Sequence, residues 1–175
     1  ENAVLTGAIL NCVGHSVCTP TGVELSGKDL SYRNLAGVDL SGMDLTGTIL
    51  TGADLTNTIL TDVDLTGKDL TGTILTGADL SSTNLTNAIL TNANLENVTL
   101  ENAKLLDANL SNANLSNADL RKALLVDANL SNATLTGADL TDAVLTGAIL
   151  TGADLENAVL TGAILNCVGH SVCIS

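Results

Sequence analysis

Leucine recurs at every fifth residue of this chain. Cut from residue 1, the 175 residues form 35 consecutive pentads, and Leu closes 31 of them. The exceptions, His15, Pro20, His170 and Ser175, fall in two short Cys-containing segments. A period of five matches neither the 3.6 residues of a helical turn nor the two-residue alternation of a strand. Strict self-similarity at a fixed step marks a repeat architecture, in which each unit buries its apolar face on its neighbours. Most of the sequence is committed to that frame, and little is left to encode chemistry.

The pentad has a fixed grammar. Its third residue is Ala in 19 of the 35 pentads, and usually Val or Thr otherwise. The first residue is mostly Thr or Ser, and the second is mostly Gly, Asn or Asp. Small third residues and large fifth residues suit a thin interior that holds one Leu and one Ala-sized group per side. Gly, Asn and Asp at the second position suit corners, because they tolerate turn geometry best.

Stretches such as Ala53-Asp54-Leu55-Thr56-Asn57, Ala118-Asp119-Leu120-Arg121-Lys122 and Ala153-Asp154-Leu155-Glu156-Asn157 resemble the A-(D/N)-L-x-x unit of pentapeptide repeat proteins. The resemblance covers nearly the whole chain. It implies an all-β fold, a right-handed quadrilateral parallel β-helix with one pentad per side and four per coil. The 35 pentads then make between eight and nine coils. With stacked strands ~4.8 Å apart, the rod is roughly 40 Å long. Its expected core is the Leu ladder, including Leu30, Leu55, Leu90, Leu120 and Leu150. Family members often place Phe at the central position, and this chain has no Phe. The expected organisation is an N-terminal segment, 1–20, with a Cys-containing hairpin, then a β-helix over 21–165, then a Cys-containing segment, 166–175. The start at Glu1, in mid-repeat, reads as a processed chain or a slice of a longer array.

Composition agrees with a solenoid. Aromatics make up 1% of the chain, with Tyr32 alone. A globular core of this size usually needs several aromatic anchors, whereas a solenoid does not. No apolar run approaches the ~20 residues of a membrane span.

The net charge is −13. Ten of the acids are Asp immediately before Leu: Asp29, Asp39, Asp44, Asp54, Asp64, Asp69, Asp79, Asp119, Asp139 and Asp154. That position should point outward. Such a surface repels nucleic acid. It reads as a solubility device, or, by the resemblance, as the DNA mimicry with which some family members occupy DNA gyrase. Those relatives pair through a dedicated C-terminal dimerisation segment, and none is visible here. At twenty residues per coil, Ser31, Thr51, Thr71, Thr91, Ser111, Ser131, Thr151 and Ser171 stack into a hydroxyl column. Such a column suits a β-side; a flat array of this kind also organises water on ice-binding solenoids, but no second matching column accompanies it.

Lys28, Arg33 and Lys68 stand where Ala usually points inward. A buried unpaired cation is costly, so each must escape at the corner or meet an acid. Asp29 and Asp69 are their sequence neighbours, and local distortion near an end is the expected result.

The ends carry the main departure. Residues 1–18 recur identically as residues 156–173. Both copies contain Asn-Cys-Val-Gly-His-Ser-Val-Cys, which holds all four cysteines and both histidines. Cys12 with Cys18 and Cys167 with Cys173 read as local disulfides, bent at Gly14 and Gly169, which would imply an oxidising compartment. Cross-links between chains are a second reading. A three-ligand metal half-site, Cys12, His15 and Cys18 or Cys167, His170 and Cys173, is a third, although the spacing is not a common zinc signature. A Cys–His catalytic pair lacks an orienting acid and a pocket.

No other motif carries chemistry, so neither an enzyme nor a cofactor is expected. Two functions remain. One is a stiff structural rod whose open strand edges associate head to tail with further copies, with Glu1, Leu5, Leu10, Glu156, Leu160 and Leu165 at the contact. The other is an acidic interaction module for an unknown protein partner, gyrase-type mimicry included. The disulfide reading places the chain outside the cell or in the periplasm; free thiols would place it in the cytoplasm.

Overall fold

The computed structural model describes residues 24–173. Each pentad repeats one local structure. Its first two residues form a turn, closed by the third residue's N–H donating to the carbonyl of the preceding Leu, at 3.0 Å for Lys28 to Leu25 and 3.1 Å for Ala163 to Leu160. The second residue sits in the left-handed region, with φ from 54° at Asn57 to 73° at Gly147. That conformation is free for Gly and least costly for Asn and Asp, which explains the corner grammar. Tyr32 and Lys122 adopt it too, at φ 57° and 58°.

The fourth residue forms a parallel bridge with the residue twenty positions on, as in Asp29 with Ile49, Ile74 with Asn94 and Asp139 with Val159. Twenty residues therefore make one coil. Each side contributes a single bridging residue, too short for a longer strand, and the section is square. Three backbone bonds per side run along the axis. The second residue's N–H donates up to the first residue of the next coil, as Gly27 does to Thr46 at 2.8 Å. The fifth donates up to the fourth, as Leu30 does to Ile49 at 2.8 Å, and the fourth donates down to the third, as Ile49 does to Lys28 at 2.9 Å.

The interior is the expected Leu ladder. Leu30, Leu55, Leu90, Leu120 and Leu150 are fully buried, and the third-position Ala residues fill the corners between them. Where Thr replaces Ala, its hydroxyl donates to a Leu carbonyl, as Thr58 does to Leu55 at 2.7 Å and Thr83 to Leu60 at 2.9 Å. A buried hydroxyl so paired carries no desolvation penalty of an orphaned group.

The inward-site cations behave differently from one another. Lys28 and Arg33 are exposed. Lys68 is half-buried, and its ammonium donates to the carbonyls of Leu45 at 2.6 Å and Thr48 at 3.1 Å in the coil below. The acids close enough to act on it are Asp44 and Asp64, on the adjoining side of the square, rather than its sequence neighbour Asp69. Lys68 thus takes the Thr48 carbonyl that the Asp69 N–H would occupy in a regular coil. The ladder opens there. The N–H groups of Gly42, Leu45, Gly47, Leu50, Asp64 and Asp69 carry no backbone bond within the described residues, although the coil above makes all the equivalent rungs. A cavity of about 210 Å³ lies in the gap, lined by Met43, Asp44, Leu45, Thr46, Gly47, Asp64, Thr66 and Lys68. The expected distortion is therefore a breach between two coils on two adjoining sides.

Candidate assembly edge

The upper end of the described rod is an edge with no coil above it among the described residues. Leu155, Leu160 and Leu165 are half-buried there, whereas every pentad-closing Leu from Leu25 to Leu150 is buried. The outward residue before Leu155 is the acid Asp154, but those before Leu160 and Leu165 are apolar: Val159 is 44% exposed and Ile164 53%, and Val168 beyond them is 60% exposed. Along this edge the N–H groups of Asn157, Leu160, Gly162 and Leu165 and the carbonyls of Ala158 and Ala163 have no partner among the described residues. From Gly52 to Leu150 each equivalent group is bonded to the coil above. Glu156 stands exposed at the start of this edge, its N–H held by the Asp154 carboxylate at 2.9 Å. The other expected contact residues, Glu1, Leu5 and Leu10, lie outside the described residues.

The edge ends in the Cys segment, where the register slips. Ile149 pairs with Val168, nineteen residues on, and Leu150 donates to Val168 at 2.8 Å. Cys167 takes an inward place in the core and is 8% exposed. Cys167 and Cys173 are joined in a disulfide with Cα atoms 4.9 Å apart. Gly169, at φ 87°, turns the chain back over Thr151. The His170 carbonyl accepts the Cys173 N–H at 3.1 Å, and its Nδ1 accepts the Val172 N–H at 3.2 Å. Sulfurs bound to each other are not thiolate ligands, so the half-site of Cys167, His170 and Cys173 does not exist in this state. Among the described residues no group of three or more His, Cys, Asp or Glu is placed to hold a metal. The copy with Cys12, His15 and Cys18 lies outside the described residues.

The outward Asp residues have a task that the charge pattern alone does not reveal. The first residue of a pentad is the one whose N–H has no backbone partner in the ladder. An Asp or Asn two residues earlier accepts it through Oδ1, and often accepts the Ser or Thr hydroxyl as well. Ser31 donates both to Asp29, at 3.0 and 2.6 Å, and Ser131 both to Asn129, at 3.0 and 2.6 Å. Such side chain–backbone turns are local caps. The hydroxyl of the following Ser or Thr, then its N–H, holds the carboxyls of Asp29, Asp44, Asp64 and Asp69 below the usual carboxylate range. The Arg121 guanidinium does the same to Asp119, and also pairs with Glu101 at 3.0 Å. The alternation of Asp and Asn before Leu, followed by Ser or Thr, was the available signal. Within the hydroxyl column, Ser31 and Ser131 bond to these caps, and Thr91 and Ser111 are a marginal 3.5 Å apart along the axis.

No helix among the described residues is long and apolar enough to cross a membrane. The sequence model of the pentapeptide repeats matches residues 24–62, 60–92, 93–132 and 123–162, with eight copies. No curated protein matches the chain. Among solved structures, the chain is similar to Rfr23, a pentapeptide repeat protein from the cyanobacterium Cyanothece 51142. The identity is 48%, over 53% of this chain and 64% of that one, with a TM-score of 0.51. The chain thus spans less than two thirds of the length of that relative. It also resembles a trypsin-treated variant of QnrB1, a plasmid-mediated fluoroquinolone resistance protein, at 21% identity over 82% of this chain and 76% of that one, with a TM-score of 0.62. At that identity the likeness is one of fold. The chain belongs to the pentapeptide repeat family, and its described residues form the right-handed quadrilateral β-helix of that family.

Proposed function

We propose that this chain is a non-enzymatic structural rod that associates head to tail with further copies through the ends of its β-helix. The observation that supports this reading is the upper edge, where the backbone groups beside Val159 and Ile164 have no partner among the described residues. Exposed strand edges are templates for pairing, and natural proteins cover or charge them. Here Val159, Ile164 and Val168 on the edge are apolar and exposed.

The bonding rule also fixes polarity. The upper edge of any coil presents two N–H donors and one carbonyl per side, and the lower edge presents two carbonyls and one N–H. An upper edge therefore complements a lower edge. Two upper edges would set N–H against N–H. A contact between unlike ends does not close on itself and gives open filaments. The acidic sides, at a net charge of −13, oppose lateral clumping and leave growth along the axis. The Cys167–Cys173 bridge supports an oxidising setting, extracellular or periplasmic.

The test is analytical sedimentation and electron microscopy of the full chain at rising concentration, beside the double variant Val159→Lys with Ile164→Lys. Both sites face solvent, so the rod stays folded. The wild type should form end-to-end assemblies and the variant should remain a single rod with an unchanged circular dichroism spectrum. If the wild type is also a single rod at high concentration, the assembly reading fails, and the acidic module for an unknown protein partner replaces it.

A further inference from the structure

We propose that the breach at Lys68 is a hinge: the rod opens at the corner Thr46–Gly47 and turns about the diagonal corner Thr56–Asn57. The joint belongs to the single chain and stands apart from end-to-end association.

The backbone rungs locate it. A regular junction between coils carries three rungs on each of four sides, twelve in all, and the four junctions from residues 61–80 up to 141–160 make every one. At the junction of residues 41–60 with 61–80 the rungs divide by side. The six between 41–50 and 61–70 are missing, those of Gly42, Leu45, Asp64, Gly47, Leu50 and Asp69. The six between 51–60 and 71–80 are intact. Gly52 donates to Thr71 at 2.9 Å, Leu55 to Ile74 at 2.7 Å and Ile74 to Ala53 at 3.0 Å. Asn57 donates to Thr76 at 2.9 Å, Leu60 to Asp79 at 2.7 Å and Asp79 to Thr58 at 2.9 Å. General loosening would scatter the missing rungs around the square. Two adjoining sides open and the other two shut is the pattern of a body hinged at one corner.

The wedge stands at the corner farthest from that axis. Lys68 donates to the carbonyls of Leu45 and Thr48, which flank the corner Thr46–Gly47. Asp44 on the lower lip and Asp64 on the upper attract the ammonium and hold it there. The cavity of about 210 Å³ lies at the same corner, between Met43, Gly47, Asp64 and Thr66.

Motion at this junction costs little. The parted N–H and carbonyl groups line a polar space large enough for water. Exchanging a bond to water for a direct rung changes the free energy only slightly for each bond. The two parted sides therefore set the resting angle weakly. The interior bounds the swing, because Leu45, Leu50, Leu65 and Leu70 are at most 2% exposed, and wetting them would cost hydrophobic burial. In a solenoid each coil touches only its neighbours. One weakened junction thus lets the coils above it move as a body against the coil below.

Electron–electron double resonance on the full chain reads the hinge. Pairs of sites are replaced by p-acetylphenylalanine and labelled with a hydroxylamine nitroxide, which leaves the native cysteines untouched. Ser26 with Thr146 spans the breach along the open corner, and Ala36 with Glu156 spans it along the shut corner. Each pair is 120 residues apart, six coils or ~29 Å. The open-corner pair should give the longer and broader distance distribution, and the shut-corner pair a narrow one. Lys68→Ala should shorten and narrow the first until it matches the second, with an unchanged circular dichroism spectrum. Two distributions of equal mean and width in the native sequence would overturn the hinge, as would an open-corner distribution that Lys68→Ala leaves unaltered.

Discussion

Lys68→Ala should make the rod more stable, against the usual direction of a substitution in a core. The ammonium holds the Leu45 and Thr48 carbonyls, and the coils around it have lost the rungs from Gly42, Leu45, Gly47, Leu50, Asp64 and Asp69. In the next coil the same inward slot holds Ala88, which is fully buried with its ladder closed. Closing the breach restores six backbone bonds. They replace bonds to water, so the low end of about 0.5 kcal/mol each applies, or about 3 kcal/mol. Loss of the two charged bonds offsets part of this; the Asp69 N–H that takes back the Thr48 carbonyl is already among the six. The net expectation is roughly 2 kcal/mol of stabilisation, a rise in Tm of about 4–8 °C for a chain of this size. Burial pushes the Lys68 ammonium below its ordinary pKa. Its charged form is therefore held less well in the fold than in the unfolded chain, which gives the same sign at neutral pH. Calorimetry gives the Tm, and amide exchange at Leu45 and Leu50 reports the rungs. Lys68→Met separates bulk from charge, because it keeps the length and cannot donate. If Lys68→Ala lowers the Tm, or leaves exchange at Leu45 and Leu50 as fast as before, Lys68 is not the wedge and the breach has another origin.

Further outcomes follow from the corner chemistry. Asn129→Ala removes the acceptor of the Ser131 N–H and hydroxyl and should cost about 1 kcal/mol in urea unfolding, whereas Asn129→Asp keeps the acceptor and should be nearly neutral at pH 7. Equal losses in both would show that the cap contributes nothing. Gly147→Ala should cost at least 1–2 kcal/mol, since it adds a Cβ at φ 73° and drives it against the Asp127 carboxylate. Adding Asp127→Ala should recover the clash and leave the backbone cost, which a double-mutant cycle resolves. The carboxyls of Asp29, Asp44, Asp64, Asp69 and Asp119 titrate below their unfolded values. Their contribution is complete above the unfolded carboxylate pKa near 3.9 and is lost as pH falls through the lower folded values. Thermal unfolding should thus be flat around neutrality and fall below about pH 4; a midpoint that rises on acidification would contradict the caps.

The parts legible in the sequence are those written once per pentad. Leu at the fifth position and Ala at the third state the period and the core, and Gly, Asn and Asp at the second state the corner conformation. The Asp before Leu was legible as outward and acidic, but its task was not, because a cap is defined by the N–H two residues on that the ladder leaves unpaired. Lys68 was visible as a misfit. Its partners were not, since Leu45, Thr48, Asp44 and Asp64 are brought to it by the coil spacing rather than by sequence adjacency. The octapeptide was visible as a departure, but its nineteen-residue step at Val168 has no counterpart in the pentad grammar.

Head-to-tail continuity is tested most directly by diffraction from aligned filaments of the full-length protein, imaged by electron microscopy in the same preparation. The account predicts unbranched filaments one rod wide with an axial reflection at ~4.8 Å, because the coil spacing runs unbroken across each junction. Discrete rods of single-chain length at every concentration, with no axial order between them, would contradict it.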